Sequence, residues 1–218
     1  MPDTSTYSRR PDLTDAAGER TLIIACGALA REIGTLMGQT AMGSVALKCL
    51  PAQLHNTPDR IPDAVREAVL AARETYARVL VGYADCGTGG RLDRVCQELG
   101  VERIEGPHCY SFFSGNDAFL ARADEEFTSF YLTDFLARQF DSMVIRSLGL
   151  DRHPELRDAY FGHYEKLVYL AQTDDDVLTA RAEAAAERLG LAFERRRVGF
   201  GDLTAFVEKA SEPLPLSS

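Results

Sequence analysis

The sequence lacks the marks of a membrane, secreted or nucleic-acid-binding protein. No apolar run approaches the 18 or more residues of a membrane span. The first 20 residues are polar, carry Arg9 and Arg10 among several acids, and contain no apolar signal-peptide core. The expected compartment is therefore the reducing cytoplasm. Positive charge is nowhere concentrated: 24 Lys and Arg are scattered among 33 Asp and Glu, for a net charge of −9. Phosphate backbones are bound by dense basic patches, so nucleic acid is excluded as the main partner. Paired CxxC motifs, a Walker A loop and a GxGxxG fingerprint are all missing, which leaves metal or nucleotide binding without a local signature.

What is present is an ordinary globular composition over 218 residues, 45% hydrophobic and 26% charged. A chain of this length buries roughly 70% of its unfolded surface, so no metal or disulfide is needed to make a core. Its five cysteines are then expected as thiols in a reducing compartment, and the odd count agrees with that.

Residues 1–20 read as a disordered leader, 21–207 as a single α/β domain, and 208–218 as a flexible tail. Short apolar runs at 21–26, 45–50, 78–83, 101–105, 166–171 and 191–198 read as strands. The last alternates and is expected at a sheet edge. Helical patterns lie between them, beginning near Ala28 and over 61–76, 91–99, 127–148 and 176–189. This rhythm predicts a Rossmann-like, doubly wound, mostly parallel sheet of about six strands with helices on both faces. The helical excursion at 127–148 reads as a lid or a homodimer surface.

In such sheets the site lies beyond the carboxyl ends of the strands. Three loops there carry cysteine: Cys26-Gly27-Ala28 after the first strand, Asp85-Cys86-Gly87-Thr88-Gly89-Gly90 after the third, and Gly106-Pro107-His108-Cys109-Tyr110 after the fourth. A helix N-terminus favours the thiolate, and glycine beside it allows close approach of a ligand. Cys26, Cys86, Cys109 and His108 are the expected metal ligands, a Cys3His set for Zn²⁺ or three thiolates for iron or an iron–sulfur cluster. Free cysteine is also a common core filler, and Cys49 and Cys96 are read that way.

Asp85, His55 and Glu32 are the candidate acid–base groups. Gly87, Thr88, Gly89 and Gly90 form a turn suited to an anion, and Gln172 and Thr173, after the fifth strand, are placed to hold a polar substrate group. Asp85 has a turn-forming reading beside its catalytic one. Arg122 and Arg138 suit a carboxylate clamp, although nothing in the sequence selects them.

These motifs, together with Leu50-Pro51-Ala52-Gln53-Leu54-His55-Asn56, Phe130-Tyr131-Leu132-Thr133-Asp134-Phe135 and Leu148-Gly149-Leu150-Asp151-Arg152-His153-Pro154, resemble the family catalogued as domain of unknown function 1638, over about residues 21–207. The resemblance implies no particular reaction. It does imply company with corrinoid-dependent methyl-transfer systems, hence a corrinoid protein or methyltransferase as partner and a corrinoid supplied through it. Three functions stay open at this point. One is a thiolate metalloprotein acting on a small molecule in one-carbon metabolism. The second is a metal-free enzyme with Cys26 and Cys86 on opposite faces of a substrate carbon. That arrangement resembles the glutamate and aspartate racemases, whose Cys-Asn-Thr and Gly-Cys-Thr-His patterns are absent here. The third is a non-catalytic corrinoid or metal delivery protein.

Overall fold

In a computed structural model, residues 20–39, 44–122 and 127–213 are described. The expected leader therefore lies outside the described residues except for Arg20, as do the last five residues of the tail. The first half of the chain contributes β1 (Thr21–Cys26), α1 (Ala30–Gln39), β2 (Val45–Leu50), α2 (Ile61–Ala72), β3 (Arg78–Gly82), α3 (Arg91–Leu99) and the short β4 (Glu102–Arg103). Two short helices, α4 (Ser111–Ser114) and α5 (Asn116–Leu120), lead into the second half. There β5 (Ser129–Thr133), α6 (Asp134–Phe140), α7 (Arg157–Phe161), β6 (Lys166–Ala171), α8 (Asp176–Leu189), β7 (Ala192–Arg197) and α9 (Asp202–Ser211) follow.

The strands form two all-parallel sheets, ordered β2-β1-β3-β4 and β5-β6-β7. The fold is thus α/β, as the alternating pattern predicts, with helices packed against the sheets. The central strands explain their own composition: every residue of β1 is buried, and so are Leu167 to Ala171 of β6. A strand covered on both faces must be apolar throughout. Half-exposed β7, with its Glu194 and three arginines, sits at an edge as expected.

Three expectations are corrected. Among the described residues, seven strands in two sheets replace about six in one. The segment 127–148 is not one helix, because Ser129–Thr133 forms β5. Its β-branched and aromatic residues pair with β6, and tertiary pairing outweighs the helical spacing of Phe135, Phe140, Val144 and Leu148 further on. Residues 208–211 are not tail but the end of α9, which returns to the first half and packs on β1, α1 and α4.

This arrangement creates a switch point. From β1 the chain moves to β2 on one side and then crosses to β3 on the other, so the loops after β1 and β3 diverge over neighbouring strand ends. The two strands approach closely: a Cβ added to Gly82 would lie 2.9 Å from Ala25 Cβ, its register partner. Two cores flank the junction. One joins Ile23, Ile24, Val65 and Val81 to Phe206 and Val207 of α9. The other centres on Leu132, Leu167 and Leu189. Between them Phe119, Tyr131, Val168 and Leu170 pack with Tyr110. Among the described residues no helix is long and apolar enough to cross a membrane.

Because α9 closes the first core, Phe206→Ala is expected to lower unfolding free energy by about 3 kcal/mol, the usual cost of a deleted core aromatic. Urea unfolding monitored by far-ultraviolet circular dichroism checks this. A shift within error would show that α9 is peripheral.

Candidate functional site

The carboxyl ends of β1 and β3 decide where the cysteines go. Cys26 is the last residue of β1, and Gly27 follows it because a Cβ there would come within 2.9 Å of Leu50 O at the end of β2. Beyond β3 the chain stays alongside the segment after β4, with Asp85 N–H donating to Gly106 O at 3.0 Å and Cys86 N–H donating to Pro107 O at 2.9 Å. That extension of the ladder brings Cys86 Sγ to 3.1 Å from Cys109 Sγ. Cys109 is also near enough to Cys26 for each to shift the other's pKa. The three thiols expected at strand ends are therefore in one cluster.

Cys86 is the sole non-glycine residue with a left-handed backbone among the described residues, at φ 48°. Such a conformation costs of order 1 kcal/mol outside glycine. Gly87, Gly89 and Gly90 continue the left-handed turn at φ 84°, 62° and 76°. Asp85 holds this turn from within. Its carboxylate accepts from Thr88 Oγ1 at 2.7 Å, Gly90 N–H at 2.8 Å and Gly89 N–H at 3.2 Å. Burial opposes its charge, but these donors outweigh burial and hold its pKa below the ordinary carboxylate range. Asp85 thus occupies the turn of Gly87, Thr88, Gly89 and Gly90 from within, accepting three hydrogen bonds there.

Electrostatics sort the thiols. The Cys109 S–H stabilises the Cys26 thiolate most; burial opposes it, and the Ala28 N–H and Tyr83 hydroxyl help, so the Cys26 pKa lies below that of an ordinary thiol. Cys109 is pushed well above it, first by its hydrogen bond to Cys26, then by that to Cys86 and by burial. Of the two, Cys26 is therefore the thiol biased toward the thiolate. Tyr83 is 1% exposed and its hydroxyl has no well-formed hydrogen bond. Burial and then the neighbouring Cys26 raise its pKa, so it stays a neutral phenol beside the thiolate. Sequence reasoning missed Tyr83 as a functional group. The available signal was a polar-headed aromatic at a buried strand end, two residues ahead of Asp85-Cys86.

The remaining expected site residues go elsewhere. His108 stacks on Tyr110 with ring centroids 4.9 Å apart, and Tyr110 stacks on Tyr131 at 5.2 Å, so an aromatic ladder runs from the cluster into the second half. Burial and then nearby His55 lower the His108 pKa, and partial desolvation lowers that of His55, although its side chain is exposed. Both are neutral rings at pH 7, beside the cluster rather than in its hydrogen bonds. Cys49 is exposed on the edge strand β2, which corrects its reading as a core residue, whereas Cys96 is buried as expected.

Glu32, Gln172 and Thr173 belong to a second network at the junction, which the sequence did not reveal. Its centre is Asp134, 1% exposed at the end of β5. Asp134 accepts from Tyr169 Oη at 2.8 Å, Gln172 N–H at 3.1 Å and Thr173 Oγ1 at 2.5 Å, and its own N–H donates to Gln172 Oε1 at 2.7 Å. Arg138 lies 3.6 Å from its carboxylate. Gln172 and Thr173, expected as substrate contacts, are both hydrogen-bonded in this network. Glu32 is 5% exposed on α1 with Oε2 unpartnered; burial raises its pKa, with Arg138 opposing and Asp134 reinforcing the shift. The charges acting on it are Arg138, Asp134 and Arg31 rather than the thiols. Arg122 lines a separate pocket of about 540 Å³ with Arg196 and Arg197, so the two arginines form no common clamp.

The donor set suits a soft metal, but its spacing does not form a cage. Two thiolates on one tetrahedral Zn²⁺, at Zn–S of about 2.3 Å, stand about 3.8 Å apart. The Cys86–Cys109 pair is closer, at 3.1 Å. Among the described residues no group of three or more His, Cys, Asp or Glu is set to hold a metal ion.

The sequence profile of a family described as "Protein of unknown function (DUF1638)" matches residues 49–207, a span that includes Cys86, His108 and Cys109 and begins after Cys26. No curated protein and no solved structure matches the chain.

Two predictions concern the charged groups. Asp85→Asn is expected to cost about 1–2 kcal/mol at pH 7, the scale of charge-assisted hydrogen bonds. A depressed carboxylate pKa stabilises fully above the unfolded value, near 4, and the gain is lost as pH falls through the folded value. The difference between wild type and variant should therefore vanish in acid. Glu32 has the opposite sign. Its raised pKa means that the wild type loses stability as pH rises above the unfolded value and through the folded one, while Glu32→Gln does not. Unfolding free energies of the three proteins from pH 3 to 9 test both, and parallel curves would refute them.

Proposed function

The chain belongs to the DUF1638 family, and we propose that its three-cysteine cluster is a thiol-chemistry centre in which Cys26 acts as nucleophile toward a small-molecule substrate. The observation that carries this reading is the convergence of three strand-end thiols, with Cys86 Sγ 3.1 Å from Cys109 Sγ and with Cys109 lowering the pKa of Cys26. A thiolate is the reactive form of cysteine, and a neighbouring acid is what its reaction needs next.

The step is simple in outline. Cys26 Sγ attacks a soft electrophilic atom of the substrate, forming a Cys26–S–R bond as the bond to the leaving group breaks. The Cys109 S–H supplies the proton that the leaving group takes up. Tyr83, held neutral, supports the thiolate before attack. A transferable carbon such as a methyl group fits this chemistry, which is where a methyltransferase or corrinoid partner would enter. Free thiols also require a reducing setting, and the cytoplasm is proposed on that ground.

A second reading keeps the expected metal: Zn²⁺ or iron on Cys26, Cys86 and Cys109, in methyl-group metabolism. The convergence of three sulfurs from three strand ends favours it; the Cys86–Cys109 pair would have to open. Two-base racemisation is disfavoured, because it needs thiols on opposite faces of one carbon and these are in mutual contact through Cys109. A delivery protein without turnover shares the cluster but needs no nucleophile.

Anaerobic purification with metal analysis, followed by iodoacetamide labelling against pH and peptide mass spectrometry, separates these readings. Cys26 is expected to react fastest, with an apparent pKa below that of an ordinary thiol, and Cys109→Ser and Tyr83→Phe should each move it upward. About one equivalent of zinc or iron, lost in Cys86→Ser and Cys109→Ser, would assign the cluster to metal instead. An unreactive Cys26 in metal-free protein would sink the nucleophile.

A further inference from the structure

We propose that Cys86 and Cys109 are a redox-active dithiol that closes to a disulfide by exchange with a low-molecular-weight disulfide, an activity that does not require Cys26. The two sulfurs lie 3.1 Å apart as free thiols. A disulfide is about 2.05 Å long, so closure asks for a movement of roughly 1 Å. Both cysteines sit on loops beyond the strands, where such a shift is cheaper than within a ladder. The backbone holds the pair in this relation, through the hydrogen bonds of Asp85 and Cys86 to Gly106 and Pro107. The left-handed conformation of Cys86 puts its side chain on the Cys109 loop at a cost that an arbitrary core thiol would not carry. Cys109 is half-buried and Cys86 is 9% exposed, against 5% for Cys26 and 4% for Cys96.

The exchange balances as follows. Cys86, as thiolate, attacks one sulfur of R–S–S–R, forming Cys86–S–S–R and releasing RS⁻, which takes up a proton to become RSH. Cys109 gives up its proton and attacks Cys86 Sγ, closing the protein disulfide and releasing the second R–S group as RSH. Two protein thiols are oxidised to one disulfide, and one small disulfide is reduced to two thiols. In the oxidised form Cys109 has no S–H to offer Cys26, so the pair would also set the state of the neighbouring nucleophile. That consequence, unlike the dithiol itself, rests on the reading of Cys26 given above.

The test equilibrates the full-length protein anaerobically with mixtures of reduced and oxidised glutathione. It then counts free thiols by alkylation and maps disulfides on unreduced peptides. Wild type, Cys26→Ser and Cys49→Ser should each lose two thiols to a Cys86–Cys109 bond. Cys86→Ser and Cys109→Ser should lose that bond, and Cys109→Ser should stop at a glutathione adduct on Cys86. Formation of the bond in Cys26→Ser separates this proposal from the nucleophile reading. The proposal is overturned if no Cys86–Cys109 bond forms at any ratio, if Cys26 pairs with Cys109 in its place, or if only a chelator makes the thiols oxidisable.

Discussion

The parallel ladder between β1 and β3 is the constraint on which the rest depends. Its register places Gly82 against Ala25, at a distance no larger side chain would tolerate. That contact puts the ends of two strands side by side, and the chain must leave them in different directions because β2 and β4 lie on opposite sides. Cys26 and Tyr83 are simply the next residues at those ends. The pairing continues past β4 through Gly106 and Pro107, so Cys109 is carried to the same place. A buried thiolate is costly, and for Cys26 its neighbour Cys109, the Ala28 N–H and the Tyr83 phenol offset that cost.

The Asp134 network is the counterpart of the cluster in the second half. Both form at carboxyl ends of parallel strands, and the turn after Cys26 packs against α6, which begins at Asp134. The polar groups of the two halves therefore meet at the junction, while α9 and the aromatic ladder through Tyr110 and Tyr131 join the halves elsewhere. Glu32 belongs to this meeting and not to the thiols. Its burial without a partner for Oε2 is tolerable because its raised pKa favours the neutral acid.

Much of the fold was legible along the chain. Apolar runs such as Thr21–Cys26 and Lys166–Ala171 are strands because no other local structure buries both faces of so short a segment. The placement of Cys26, Cys86 and Cys109 at carboxyl ends followed from that reading. What misled was local chemistry with two outcomes. The Gly87–Gly90 turn has the composition of an anion site, yet Asp85 is the anion it holds. Ser129–Thr133 precedes a helical stretch and was absorbed into it, because strand pairing with β6 is not visible within the segment itself.

The sequence by itself determined the class of fold, the strand-end positions of three thiols and the membership of the family. These depend on periodicity, on composition and on motifs that are contiguous along the chain. Tertiary structure alone decided which thiol has the lowered pKa, that Tyr83 lies beside it, and that Gln172 and Thr173 bond Asp134. The reason is physical. Proton sharing, desolvation and hydrogen-bond partnership act over a few ångströms between residues far apart along the chain, and folding creates those distances.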